Sequence, residues 1–155
     1  MTSTAPAAIA DHDTLTSEEE RRYAELQFLA LDCAREGDTA QLARMLDAGL
    51  PVNLRNAKGH TLLMLAAYHG HADTVAALLA HGADPDARND RGQTPLGGAA
   101  FKGHDAVVKL LLDAGADTRA DQGFGLTPAA YALMFGRFAT ARLIRNHALR
   151  SRRAA

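Results

Sequence analysis

The phrase GHADTVAALLAHGADPDA at residues 70–87 returns as GHDAVVKLLLDAGADTRA at residues 103–120. Gly59, Gly92 and Gly125 stand 33 residues apart, as do Thr61, Thr94 and Thr127, and Gly70, Gly103 and Gly136. Residues 59–91 and 92–124 are identical at 14 of 33 positions. A fixed period of this length constrains the fold more than any local motif does. One such unit cannot bury its apolar face alone, so it must stack on copies of itself.

Each period spells the same supersecondary unit. Thr61, Thr94 and Thr127 are expected as N-caps, because a threonine hydroxyl accepts an orphan backbone N–H. Pro95 and Pro128 follow at the first helical position, where the missing N–H costs nothing. A short apolar helix then runs to Gly70, Gly103 or Gly136, and glycine ends a helix in the left-handed conformation. A second helix carries Val75, Leu78 and Leu79, or Val108, Leu111 and Leu112, at helical spacing. It stops at Gly82 or Gly115, before the polar turns Asp84-Pro85-Asp86 and Asp117-Thr118-Arg119.

These units resemble ankyrin repeats, whose pattern is G-x-T-P-L-H-x-A-A, then G-H, then L-L-x-x-G-A-D. Residues 92–124 carry GQTPLGGAA, GH and LLLDAGAD, and residues 59–91 carry GHTLLMLAA, GH and LLAHGAD. The family's histidine after Thr-Pro-Leu is missing, with Met64, Gly97 and Ala130 in its place. The resemblance implies an all-α ankyrin-repeat solenoid of four helix–turn–helix repeats, with capping units at both ends and short β-turn tips. The expected repeats are 26–58, 59–91, 92–124 and 125–148 within a domain of residues 17–148, preceded by a disordered lead over 1–16 and followed by a basic tail over 149–155.

The ends read as caps. Ser17 with Glu20 makes a capping box, and the first helix runs on through EEERRYAELQFLALDCA. Asp32 holds the position of Leu65, and Arg145 that of Leu79 and Leu112. A charge there is tolerable only where no repeat packs against it, and terminal repeats need a polar outer face.

The resemblance implies a concave groove lined by the turn tips and the exposed side of each first helix. It places Arg55, Lys58, His60, Tyr68 and His69 there from one unit, and Arg88, Arg91, Gln93, Phe101 and Lys102 from the next. Phe124 follows further along the chain. With Arg35, Glu36, Asp90 and Asp121, the groove holds six basic side chains against three acidic ones. It also gathers aromatics from a chain that is only 5% aromatic. Arginine beside aromatics is the composition of protein-binding hot spots. The plainer reading is a set of solvated tips with aromatics packed between units. Gly97-Gly98 stands out, since two glycines in a short helix cost roughly 1 kcal/mol each. Either the Tyr131 ring leans over Gly98, or a small pocket opens there.

Catalytic and metal chemistry find little support. Cys33 maps onto Ala66, Ala99 and Ala132 and reads as a small core residue. It cannot form an internal disulfide, which suits a reducing, cytoplasmic compartment. No phosphate-cradling glycine motif or nucleophile turn is present. Seven histidines do not make a zinc site without ligand spacing to support one; His71 and His104 belong to the Gly-His that opens each second helix. No cofactor is expected. The lead MTSTAPAAIADHD lacks the basic start of a signal peptide, and no apolar run is long enough to span a bilayer. A net charge of −1 gives no general pull toward nucleic acid or membrane, although residues 137–155 hold six arginines and no acid.

The expected function is a non-enzymatic protein–protein interaction module, a monomeric scaffold acting as adaptor or inhibitor. Its partner would offer an acidic or mixed acidic and apolar segment to the groove. The alternative is an accessory factor that maintains a specific enzyme, for instance in oxidative-stress defence; nucleic-acid contact through the arginine-rich tail ranks below both. Fourteen of the 17 basic residues are arginine, consistent with a high-GC bacterial source.

Overall fold

The computed structural model describes residues 16–155; the expected disordered lead lies outside the described residues apart from Thr16. Eight helices follow among them. These are α1 (Ser17–Glu36), α2 (Thr39–Asp47), α3 (Leu62–Tyr68), α4 (Ala72–Ala80), α5 (Pro95–Lys102), α6 (Asp105–Asp113), α7 (Pro128–Met134) and α8 (Phe138–Ala154). They form four antiparallel pairs. The inner helices α1, α3, α5 and α7 pack on one another in order, and the outer helices α2, α4, α6 and α8 do the same. This is the all-α repeat solenoid that the period requires.

The inner helices start where the threonines stand. Thr61, Thr94 and Thr127 accept from the backbone N–H of Met64, Gly97 and Ala130 at 3.1, 3.2 and 3.3 Å. The first helix corrects the expected capping box by one residue. Thr16 pairs with Glu19, in place of Ser17 with Glu20. Both pairs have the same chemistry, but capping at Thr16 gains a residue of helix and puts Glu18, Glu19 and Glu20 in the first turn. Carboxylates there favour the positive end of the helix dipole.

Units are joined by a repeated rung. The Nε2–H of His71 donates to the carbonyl of Arg35 at 2.8 Å, and that of His104 to the carbonyl of Tyr68 at 3.0 Å. In the last unit Arg137 substitutes for the histidine, its Nε–H reaching the carbonyl of Phe101 at 3.2 Å. Each rung passes over the glycine that ends the previous inner helix. A Cβ on Gly37 would lie 2.5 Å from His71 Nδ1, and one on Gly70 would lie 2.8 Å from His104 Cε1. The Gly-His pairs are therefore half of an inter-unit contact as well as a helix stop.

A single core runs the length of the stack, with Leu62, Leu63, Val75, Leu78, Leu96, Val108, Leu111 and Ile144 all buried. Cys33 sits in it at the level of Ala66, Ala99 and Ala132. Burial is the main reason its thiol is pushed up, with Asp38, Asp32 and Glu36 adding to it. The end substitutions face water: Asp32 is exposed and paired with Arg35, and Arg145 is exposed where Leu112 is buried. The chain expected as a basic tail continues α8 through Ala154. The residue in phase with Gly82 and Gly115 is Ala148, which supplies no helix stop.

At Gly97 the place of the missing histidine is taken by Gln122, from the hairpin tip that follows α6. Gln122, only 4% exposed, lays its side chain over the start of α5. Its Oε1 accepts from the Thr94 backbone N–H at 3.0 Å, and its Nε2 donates to Thr94 Oγ1 at 3.0 Å and to the Ala120 carbonyl at 2.9 Å. A Cβ on Gly97 would fall 1.8 Å from Gln122 Oε1. A Cβ on Gly98 would meet nothing closer than Tyr68 Cδ2 at 3.7 Å. The two glycines thus have opposite reasons to exist, and their substitutions separate. Gly97→Ala forces Gln122 out of a buried network and lowers stability by about 1–3 kcal/mol. Gly98→Ala replaces a helical glycine with a Cβ in ordinary contact with Tyr68 and raises it by up to about 1 kcal/mol. Urea unfolding measures both, and equal shifts of the same sign contradict this account.

Candidate functional site

The concave side holds a cleft of about 630 Å³ between the hairpin tips of the second and third units and the inner helices α3, α5 and α7. Seven expected groove residues line it: Lys58, His60, Tyr68, His69, Arg91, Gln93 and Phe101. Its floor is aromatic. The rings of Tyr68 and Phe101 stack at 6.2 Å between centroids, and Phe101 also meets Tyr131 at 5.7 Å and the edge of Phe135 at 4.5 Å. Lys102 Nζ lies 5.3 Å from the centre of the Tyr68 ring, within cation–π range, at one side of this floor.

The remaining expected residues lie elsewhere. Arg55 donates from Nη1 to the carbonyl of Arg88 at 2.6 Å, and Arg88 donates to the carbonyl of Asp121 at 2.8 Å. These guanidinium groups staple one hairpin tip to the next, alongside a backbone bond from Asp90 N–H to the Lys58 carbonyl at 3.1 Å. Phe124 projects fully into solvent from the last tip, with φ of 56°, and is no part of the cleft. Among the described residues no further hairpin stacks on that tip.

Tyr131 and Gly98 also line the cleft, as do Met64, Leu65 and Asp90. Of the two alternatives for Gly98, the lean of Tyr131 over it is not found. Tyr68 is the ring nearest Gly98, while Tyr131 packs against Phe101 and Phe135. The space a leucine would fill is instead part of the cleft. Positions 65, 98 and 131 fall in one phase of the period, and that phase was the available sign that all three share a floor.

The electrostatics are milder than the sequence count implies. Within the cleft, Lys58 and Arg91 face Asp90. His60 is pushed down from the ordinary histidine range, first by burial and then by Lys58 and Arg91, with Asp90 opposing. His69 is pushed down by burial and by its neighbours His71, Arg35, Lys102 and His104. Both rings are therefore neutral near pH 7. On the outer side His81 is pushed up by its bond to Asp47 at 2.8 Å and by the Ala77 carbonyl. Among the described residues no three His, Cys, Asp or Glu side chains form a group able to hold a metal ion.

A side-chain NMR titration is expected to order these groups. His60 and His69 titrate below the ordinary value of about 6.5, and His81 above it. Their effects on stability have opposite signs. Unfolded His60 and His69 take up protons before the folded ones do, so their share of stability falls as pH drops below about 6.5. The His81 contribution is complete below that value and fades as pH rises through its higher folded midpoint. Asp47→Asn moves the His81 midpoint down; an unmoved midpoint contradicts the assignment.

Comparison with known proteins agrees with this architecture. A stretch of 42 residues is 62% identical to a Pseudomonas aeruginosa protein whose name calls it an ankyrin repeat protein. It covers 27% of this chain and 25% of that protein, so the match spans only about a quarter of the relative's length. The family model described as ankyrin repeats, in three copies, matches residues 30–122, more than half of the chain. With four stacked helix pairs, threonine caps and Gly-His rungs in period, the chain belongs to the ankyrin-repeat family.

Proposed function

We propose that this chain is a non-enzymatic recognition module that grips a segment of one cognate protein in its concave cleft, as an adaptor or inhibitor working in the cytoplasm. Ankyrin repeats mediate protein–protein interaction, and the cleft gives that general role a specific chemistry. The observation that carries the reading is a floor of Tyr68, Phe101 and Tyr131 beneath a rim bearing Lys58 and Arg91. An apolar side chain of the partner seats on the rings, where large rigid surfaces lose little entropy on binding. An acidic side chain beside it reaches Lys58 or Arg91. Neutral His60 and His69 supply hydrogen-bonding edges without adding charge at pH 7. Arg55 and Arg88 serve the groove indirectly, by fixing the spacing of the tips.

The test compares three folded proteins in quantitative capture from native lysate. They are the wild type, a cleft variant (Lys58→Glu/Tyr68→Ala/Arg91→Glu) and an outer-helix variant that reverses exposed charges away from the cleft (Asp73→Lys/Lys109→Glu). A protein held by the wild type and the outer-helix variant, and lost by the cleft variant, is the expected result. Hot-spot truncation costs about 2 kcal/mol or more, roughly 30-fold in affinity. A partner that ignores the cleft variant contradicts the proposal.

A further inference from the structure

A second cavity, of about 560 Å³, lies at the far end of the stack, between α8 and the turn that precedes the last hairpin. The extension of α8 past Ala148 supplies Ser151 and Arg152 to its wall. Its floor is apolar, formed by Ala116, Ala129 and Ile144. Its side-chain charge is mainly positive. Arg119, Arg145 and Arg152 all line it, and among the described residues none has a carboxylate within ion-pairing distance. Asp117 lines it too, but one of its carboxylate oxygens is committed to the Arg119 backbone N–H at 2.8 Å.

His147 also lines the cavity. Its Nδ1 is buried and, among the described residues, has no hydrogen-bond partner. The contrast within the repeat sharpens this. His81 occupies the same phase, yet both of its nitrogens are satisfied, Nδ1 by the Ala77 carbonyl and Nε2 by Asp47, each at 2.8 Å. Buried polar nitrogens are nearly always paired, so an orphan beside three unpaired guanidinium groups points to a missing partner. The partner must accept from planar N–H donors on several sides and carry negative charge. Clustered anionic oxygens meet both needs.

We propose that this end cavity binds a small polyoxyanion, a ligand carrying a phosphate group or several carboxylates on a compact body. Arg119, Arg145 and Arg152 hold its oxygens, and the Nδ1–H tautomer of His147 donates a further hydrogen bond. The site lies apart from the concave cleft, so it stands or falls independently of the partner segment.

The test titrates the full chain at low ionic strength with pyrophosphate and, separately, with citrate. Calorimetry follows affinity, and the ring nitrogens of His147 are followed by NMR. Saturable binding of either probe that moves the Nδ1 resonance is expected; which probe saturates identifies the source of the oxygens. Two variants remove the same charge. Arg119→Gln/Arg145→Gln/Arg152→Gln takes it from the lining and weakens binding at least about tenfold. Arg142→Gln/Arg150→Gln/Arg153→Gln takes it from elsewhere on α8 and changes affinity less than about threefold. All these arginines are exposed, so both variants fold. Equal weakening by the two variants marks diffuse attraction to a basic helix and overturns the proposal. So does the absence of saturation with both probes.

Discussion

A hydrogen bond from each unit to the last carbonyls of the inner helix before it sets the geometry of this solenoid. His71 reaches Arg35, His104 reaches Tyr68 and Arg137 reaches Phe101. A single bond of this kind is worth only about 1 kcal/mol. Its importance lies in which carbonyls are held. Tyr68 and Phe101 are the residues whose side chains form the cleft floor, so the contact that stacks the units also fixes the aromatic ladder. Glycine at the preceding helix end is what lets the next unit come that close. The fold and the candidate site share one constraint.

The hairpin tips follow a second economy. Three side chains, Asn56, Asn89 and Asp121, close the tips by accepting two backbone N–H groups each. At the last hairpin tip this task moves one residue earlier, from the asparagine phase to Asp121. That shift frees Gln122 to cross over Thr94, and Gly97 is the space its amide requires. Two arginines are likewise drawn into stapling the tips, which leaves the cleft rim with Lys58 and Arg91 against Asp90. Recognition there rests more on aromatic surface than on net charge.

How much of this was legible in the sequence divides along physical lines. The period, the threonine caps, the glycine stops and the charged ends at Asp32 and Arg145 are short-range signals repeated in phase, and the structure has them where expected. So is the continuation of α8, in retrospect, since Ala148 stands where glycine ended the other outer helices. The Gln122 network was not legible. It joins residues 28 apart, and the same phase elsewhere holds asparagines with a purely local task. The roles of Arg55 and Arg88 were missed because a groove-facing position does not say where a long guanidinium will end. Seven of the eleven expected site residues share the cleft, and Tyr131 and Gly98 join them through a phase of the repeat that was noticed as an oddity only.

The dependence of stacking on the rung is most directly measured by a double-mutant cycle of Gly70→Ala and His104→Ala, read by urea unfolding. Gly70→Ala alone meets both the left-handed backbone, at φ of 77°, and the His104 ring, 2.8 Å from the new Cβ. With His104 removed, only the backbone penalty of about 1 kcal/mol is left. The account predicts that the two losses do not add, with a coupling of at least about 1 kcal/mol. Strict additivity would mean that glycine and histidine act separately, and that the rung does not hold the units in register.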